Sequence, residues 1–139
     1  MEQAVWFYVG ILVAMIGLGL LVSVVLMGTD TAKQQMAKNN ANSLEIMCNN
    51  VCGSDIGTVL GIKPEISSGS IIKSNGNAIC VVYKEIKDCR RCDCEVVGAD
   101  FKPFELNLAT EEAIKMFDTH AYNCTFERDV NVVVLRCKG

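Results

Sequence analysis

The 139 residues carry 13 Lys and Arg against 16 Asp and Glu, a net charge of −3, so the basic surplus that nucleic-acid binding draws on is absent and no nucleic-acid partner is expected. Setting aside the apolar N-terminal run leaves roughly 110 residues, one domain's worth at most. The part rich in turn residues and cysteines, 62–139, is shorter still, and a core of about 80 residues is marginal without staples.

Residues 4–27, AVWFYVGILVAMIGLGLLVSVVLM, contain no charged side chain, and only Ser23 and the Tyr8 hydroxyl are polar. As a helix rising ~1.5 Å per residue the run reaches about 36 Å, enough to cross a hydrocarbon core of about 30 Å. It reads as a membrane-spanning helix. The competing reading is a secretory signal, but the run is too long for one, Met1 to Gln3 bring no Lys or Arg, and no small-x-small site clearly follows. Gly10, Ala14 and Gly17 fall at i, i+4, i+7, with Gly19 and Ser23 close by, a strip of small residues of the kind that lets helix backbones approach. Glycine is also frequent in spanning helices that pack on nothing. Flanking charge points the other way from the cysteines described below. Glu2 precedes the run and Lys33 and Lys38 follow it, which by the positive-inside tendency places the C-terminal side in the cytoplasm.

Gly28, Thr29 and Asp30 mark a soft spot where a new helix can be capped or the first can continue. Beyond it Ala37, Ala41, Leu44, Cys48 and Val51 recur at steps of four and three, with Met36 and Met47 on the adjoining stripe. The spacing predicts an amphipathic helix ending near Gly53, weakened by Asn39, Asn40 and Asn42. Residues 53–69 have loop chemistry around a short apolar patch.

From residue 70 the period changes to two. Ser70–Lys73 and Ala78–Lys84 flank Ser-Asn-Gly-Asn, a hairpin signal. Further strands are expected at Cys94–Val97, at Phe101–Leu108, where Pro103 favours an edge, and at Val130–Cys137, with residues 120–126 as its antiparallel neighbour. Thr110 opens a short helix, TEEAIKMF. The pattern is α+β: a long N-terminal helix, apolar then amphipathic, followed by a small antiparallel β-rich head. Its segments are 1–28, the apolar helix; 29–53, the amphipathic extension; and 54–139, the cysteine-rich head.

All eight cysteines, Cys48, Cys52, Cys80, Cys89, Cys92, Cys94, Cys124 and Cys137, lie outside the apolar run. An even number in a small tethered domain favours disulfides and an oxidising, extracytoplasmic side. Cys48 and Cys52, one helical turn apart, sit near the geometric limit for bridging each other, so at least one is expected to bridge outward and pin the helix to the head. The cluster Asp88-Cys-Arg-Arg-Cys-Asp-Cys94 admits three chemistries. Cys89, Cys92 and Cys94 have metal-ligand spacing but need a distant fourth ligand, Cys80, Cys124 or His120. Cys89 and Cys92 form a C-x-x-C whose arginines would favour a thiolate, without a thioredoxin-like βαβ context. The third is structural stapling, which small domains require.

No catalytic constellation emerges, and neither enzyme activity, a cofactor nor a small-molecule substrate is expected. His120 is the single histidine and has no nucleophile partner. Cys92 is followed by Asp93, so there is no haem-attachment motif, and no glycine-rich phosphate cradle occurs. Glu111 with Glu112, and Asp100 with Glu105, read as solvated surface. Asn123-Cys-Thr125 fits the N-glycosylation acceptor pattern.

An apolar N-terminal helix running into an amphipathic one, then a small cysteine-bearing β head, resembles the plan of type IV pilin-like subunits, archaeal ones in particular. The resemblance spans the whole architecture and rests on pattern rather than on a motif. Two features depart from the family pattern: Val5 stands where many bacterial members carry glutamate, and no basic leader precedes Met1, which would be expected if the numbering starts at a processed N-terminus. The resemblance implies a cell-surface filament whose apolar helices, from copies of the same chain, bundle as a core after leaving the membrane, while the heads coat the outside. A single-pass membrane protein with a partner- or metal-binding head, and a membrane-tethered thiol oxidoreductase using Cys89 and Cys92, are the alternatives.

Overall fold

Both helical patterns merge into one element. In the computed structural model, which describes residues 2–108 and 119–139, helix α1 runs without interruption over Glu2–Cys52. The Thr29 hydroxyl donates to Leu26 O and the Thr31 hydroxyl to Met27 O. Both hydroxyls therefore return to the preceding turn instead of capping a fresh start, and the soft spot carries the helix through. Past Cys52 the chain turns away with Gly53 N–H bonded to Asn49 O and Ser54 N–H to Val51 O.

The chain divides into two units, Met1–Ala32 and Lys33–Gly139. The first is helix alone, and residues 3–29 are exposed throughout. The second holds the remainder of α1 and ten strands, β1 Val59–Ile62, β2 Glu65–Ser67, β3 Ser70–Asn75, β4 Ala78–Tyr83, β5 Ile86–Arg91, β6 Glu95–Val97, β7 Glu105–Asn107, β8 Thr119–Ala121, β9 Asn123–Arg128 and β10 Val132–Lys138. Two four-stranded sheets, ordered β1-β9-β10-β6 and β5-β4-β3-β7, and a two-stranded β2-β8 ladder make up the head.

Its core is assembled around the helical stripe. Ala37, Ala41, Leu44, Cys48 and Val51, spaced to share one face, are all buried to 1% exposure or less and join one cluster with Ile66, Ile72, Ile79, Val81, Val96, Phe126, Val133 and Leu135 from the strands. Each fully buried side chain of this size contributes about 1.5–3 kcal/mol relative to exposure.

Several elements depart from the sequence pattern. β1 and β2 lie in the stretch expected to be loop, and β5 covers most of the cysteine cluster. β5 alternates half-buried Ile86, Asp88 and Arg90 with exposed Lys87, Cys89 and Arg91, which suits a charged edge strand but shows no apolar period. Of Phe101–Leu108 only Glu105–Asn107 is strand; it begins after Pro103, at the sheet edge as expected. Residues 120–126 split at Tyr122. β9 pairs with β10 as expected, whereas β8 pairs with β2, and the Tyr122 N–H donates to Pro64 O between them. Among the described residues one strand pair is parallel, β6 with β10. The hairpin β3–β4 closes through Gly76 and Asn77, with Gly76 at φ 58, so glycine takes the first loop position, where positive φ is required. The helix expected at 110–117, with Glu111 and Glu112, lies outside the described residues.

Candidate functional site

Two features of this chain mark it out: the uncovered apolar length of α1, and the sulfur framework of the head. On α1, Trp6, Tyr8 and Met27 are exposed by 70% or more, and the other large apolar side chains from Val5 to Leu26 by 41–69%. Soluble monomers rarely expose contiguous apolar surface beyond a few hundred Å², so this surface requires lipid or protein around it. By length and composition α1 is able to cross a membrane. The strip Gly10, Ala14, Gly17 lies within this uncovered stretch. A Cβ added at Gly10, Gly17 or Gly19 meets no atom within 4 Å, so the chain's own fold does not demand glycine at these positions.

The sulfur framework is fully closed: the eight cysteines form four disulfides and none is free. Cys48 pairs with Cys92 and Cys52 with Cys94, each with Cα atoms 5.8 Å apart. Both helical cysteines therefore bridge outward, to two positions on the segment that links β5 to β6. Cys80–Cys89 joins register partners on β4 and β5, and Cys124–Cys137 joins register partners on β9 and β10. The two members of the C-x-x-C motif thus belong to different bridges. Four disulfides point to folding in an oxidising compartment.

The segment carrying Cys92 and Cys94 is held by backbone as well as sulfur. The carbonyls of the β3–β4 turn receive it: Cys92 N–H donates to Asn77 O at 2.7 Å and Val96 N–H to Gly76 O at 2.9 Å. Between them, Asp93 N–H donates to the Asn49 side chain of α1 at 2.9 Å. A second helical asparagine acts the same way, Asn40 Nδ2 donating to Glu65 O at 2.7 Å. Asn40, read from sequence as a weak helix former, is a buried anchor that satisfies a strand carbonyl. Arg128 is a further residue the sequence did not single out. Its Nη1 donates to Cys94 Sγ at 2.9 Å, a contact that depends on strand register and on which cysteines pair.

The remaining candidates are dispersed. His120 is half-buried on β8, its ring edge-on to Tyr122 at 4.9 Å, with Ile66 as its register partner. Cys80 and Cys124, the other candidates for a distant fourth ligand, are both bridged, as are Cys89, Cys92 and Cys94, and among the described residues no group of three His, Cys, Asp or Glu side chains is arranged to hold a metal. Asp100 and Glu105 are exposed. Asn123 is exposed at the start of β9.

No protein-family model, curated protein or solved structure matches the chain.

Proposed function

We propose that the chain is a structural subunit of an extracellular filament of the type IV pilus-like kind, its apolar helices bundling with those of other copies and its disulfide-closed heads facing outward. The observation that carries this reading is the helix α1: residues 3–29 are exposed throughout and apolar over 4–27, continuous in one element with the stripe that seats the head. A membrane covers such a surface while the subunit is stored, and the same surface on other copies covers it after assembly. Repeated heterologous contacts that do not close generate a helical polymer, and bridges in each head resist unfolding of the exposed part.

The competing reading, an anchored single-pass protein whose head binds a partner or a metal, draws on the same apolar helix, which satisfies the length and composition of a membrane span. Electron microscopy of material sheared from cells producing this chain, with the subunit identified by mass, separates the two. Filaments of this protein are the expected result. Chain found only in the membrane pellet, with no polymer, overturns the filament reading in favour of the anchored domain.

A further inference from the structure

The triplet Asn123-Cys124-Thr125 is the one Asn-x-Ser/Thr sequence in the chain, and it lies where its ends and its middle meet different surroundings. Cys124 is buried to 1% and bridged to Cys137, whereas Asn123 is exposed and Thr125 half-buried on the opposite, outward face of β9. Pairing with β1 ends at Cys124, so the register partner of Asn123 is Lys138 of β10 alone. Among the described residues its carboxamide makes no hydrogen bond, and its exposure leaves room for a large substituent in the finished fold.

We infer that Asn123 is an N-glycan acceptor, and that sugar transfer to it competes with closure of the Cys124–Cys137 bridge. The inference rests on the reading that the head is exported. In the transfer, Asn123 Nδ2 attacks C1 of the first sugar of a lipid-pyrophosphate-linked oligosaccharide. The C1–N bond forms, the C1–O bond to pyrophosphate breaks, the lipid pyrophosphate leaves and an amide proton passes to the transferase. The enzyme must take up the carboxamide and the Thr125 hydroxyl together from a segment free to bend into its site. The folded head forbids that bend: residues 123–125 are laddered to Lys138, Cys137 and Arg136 and tied through sulfur at the middle position. Transfer therefore precedes bridging, in which the two thiols lose two electrons and two protons to a disulfide-exchanging oxidant of the same compartment. Each chain that bridges first escapes the glycan, and occupancy is partial.

The test is cell-free synthesis of the full chain with endoplasmic-reticulum microsomes, which carry the lipid-linked donor and transferase, followed by protease protection, glycosidase treatment and peptide mass mapping. The expected result is a protease-protected head with a glycosidase-sensitive increment on the Asn123 peptide, lost in Asn123→Gln. In Cys137→Ser, which leaves the acceptor triplet intact, and in wild type made with reductant present, occupancy rises about twofold or more, because bridging otherwise closes the window, on a timescale of roughly seconds to hours set by the oxidant. A protected head unmodified in all three overturns the glycan assignment and leaves export standing. A head digested from outside overturns export and the glycan with it. An increment whose occupancy ignores Cys137 and reductant overturns the competition.

Discussion

Arg128 places a guanidinium nitrogen 2.9 Å from Cys94 Sγ, and a cation there is expected to speed reduction of the Cys52–Cys94 bridge. Thiolate attack on Cys52 expels Cys94 as a thiolate, and a charge-assisted hydrogen bond stabilises that leaving group. Both sulfurs belong to half-buried residues, whereas Cys48 and Cys92 are buried to 1% or less. Under graded reduction with alkylation and peptide mapping, Cys52 and Cys94 are expected to be labelled before Cys48 and Cys92, and Arg128→Met, which keeps the aliphatic stem, is expected to slow that opening by about tenfold. An unchanged rate of Cys52–Cys94 opening in the variant removes Arg128 from the chemistry. Residues that act by reaching another element are the ones the sequence hides. Asn40 and Asn49 count against a helix by propensity, yet both are spent on backbone groups far along the chain.

At the scale of elements, legibility follows the length of the repeating pattern. The stripe Ala37, Ala41, Leu44, Cys48, Val51 spans four turns and is buried as its spacing requires, and the hairpin β3–β4 announces itself through Asn75-Gly76. The short strands are less readable. β1 has its first three residues exposed, and β5 is stabilised by a disulfide and by its place at an edge rather than by an apolar face; neither has a period to detect. The apolar half of α1 was readable as a segment needing a cover, but its cover is outside one chain. Gly17 supplies the means to identify it. Since a Cβ there meets nothing within 4 Å in the chain itself, Gly17→Leu is expected to leave the head folded, with all four bridges closed, while abolishing filament yield, because the added side chain holds packed helices apart. Normal yield from the variant, counted by microscopy of sheared material, excludes the Gly10, Ala14, Gly17 strip as the packing face.

For the whole molecule, the two bridges from α1 form a coupled pair. Cys48–Cys92 and Cys52–Cys94 span 44 and 42 residues and close nearly the same loop, so once either is made the other closes only a small ring. On loop entropy the first closure contributes about 4 kcal/mol and the second about 2. Replacing either pair with alanines is therefore expected to cost about 2 kcal/mol, and replacing both about 6, more than the sum. Urea unfolding of the full chain in detergent micelles measures this, and strict additivity excludes the shared-loop account. The number of cysteines made stapling legible, but the pairing depended on how β5 and β6 meet α1, which no spacing rule contains.

The sulfur framework also decides how the molecule behaves under tension. A pull between its ends enters along α1 and crosses at Cys48 to Cys92, 44 positions on, so the 43 residues between them are shielded from load. At the far end Cys124 passes the load to Cys137, 13 positions on, and shields 12 more. At about 3.5 Å per residue some 190 Å of chain is withheld from stretching, so a strained head can lengthen only through what remains until a sulfur–sulfur bond is chemically cut.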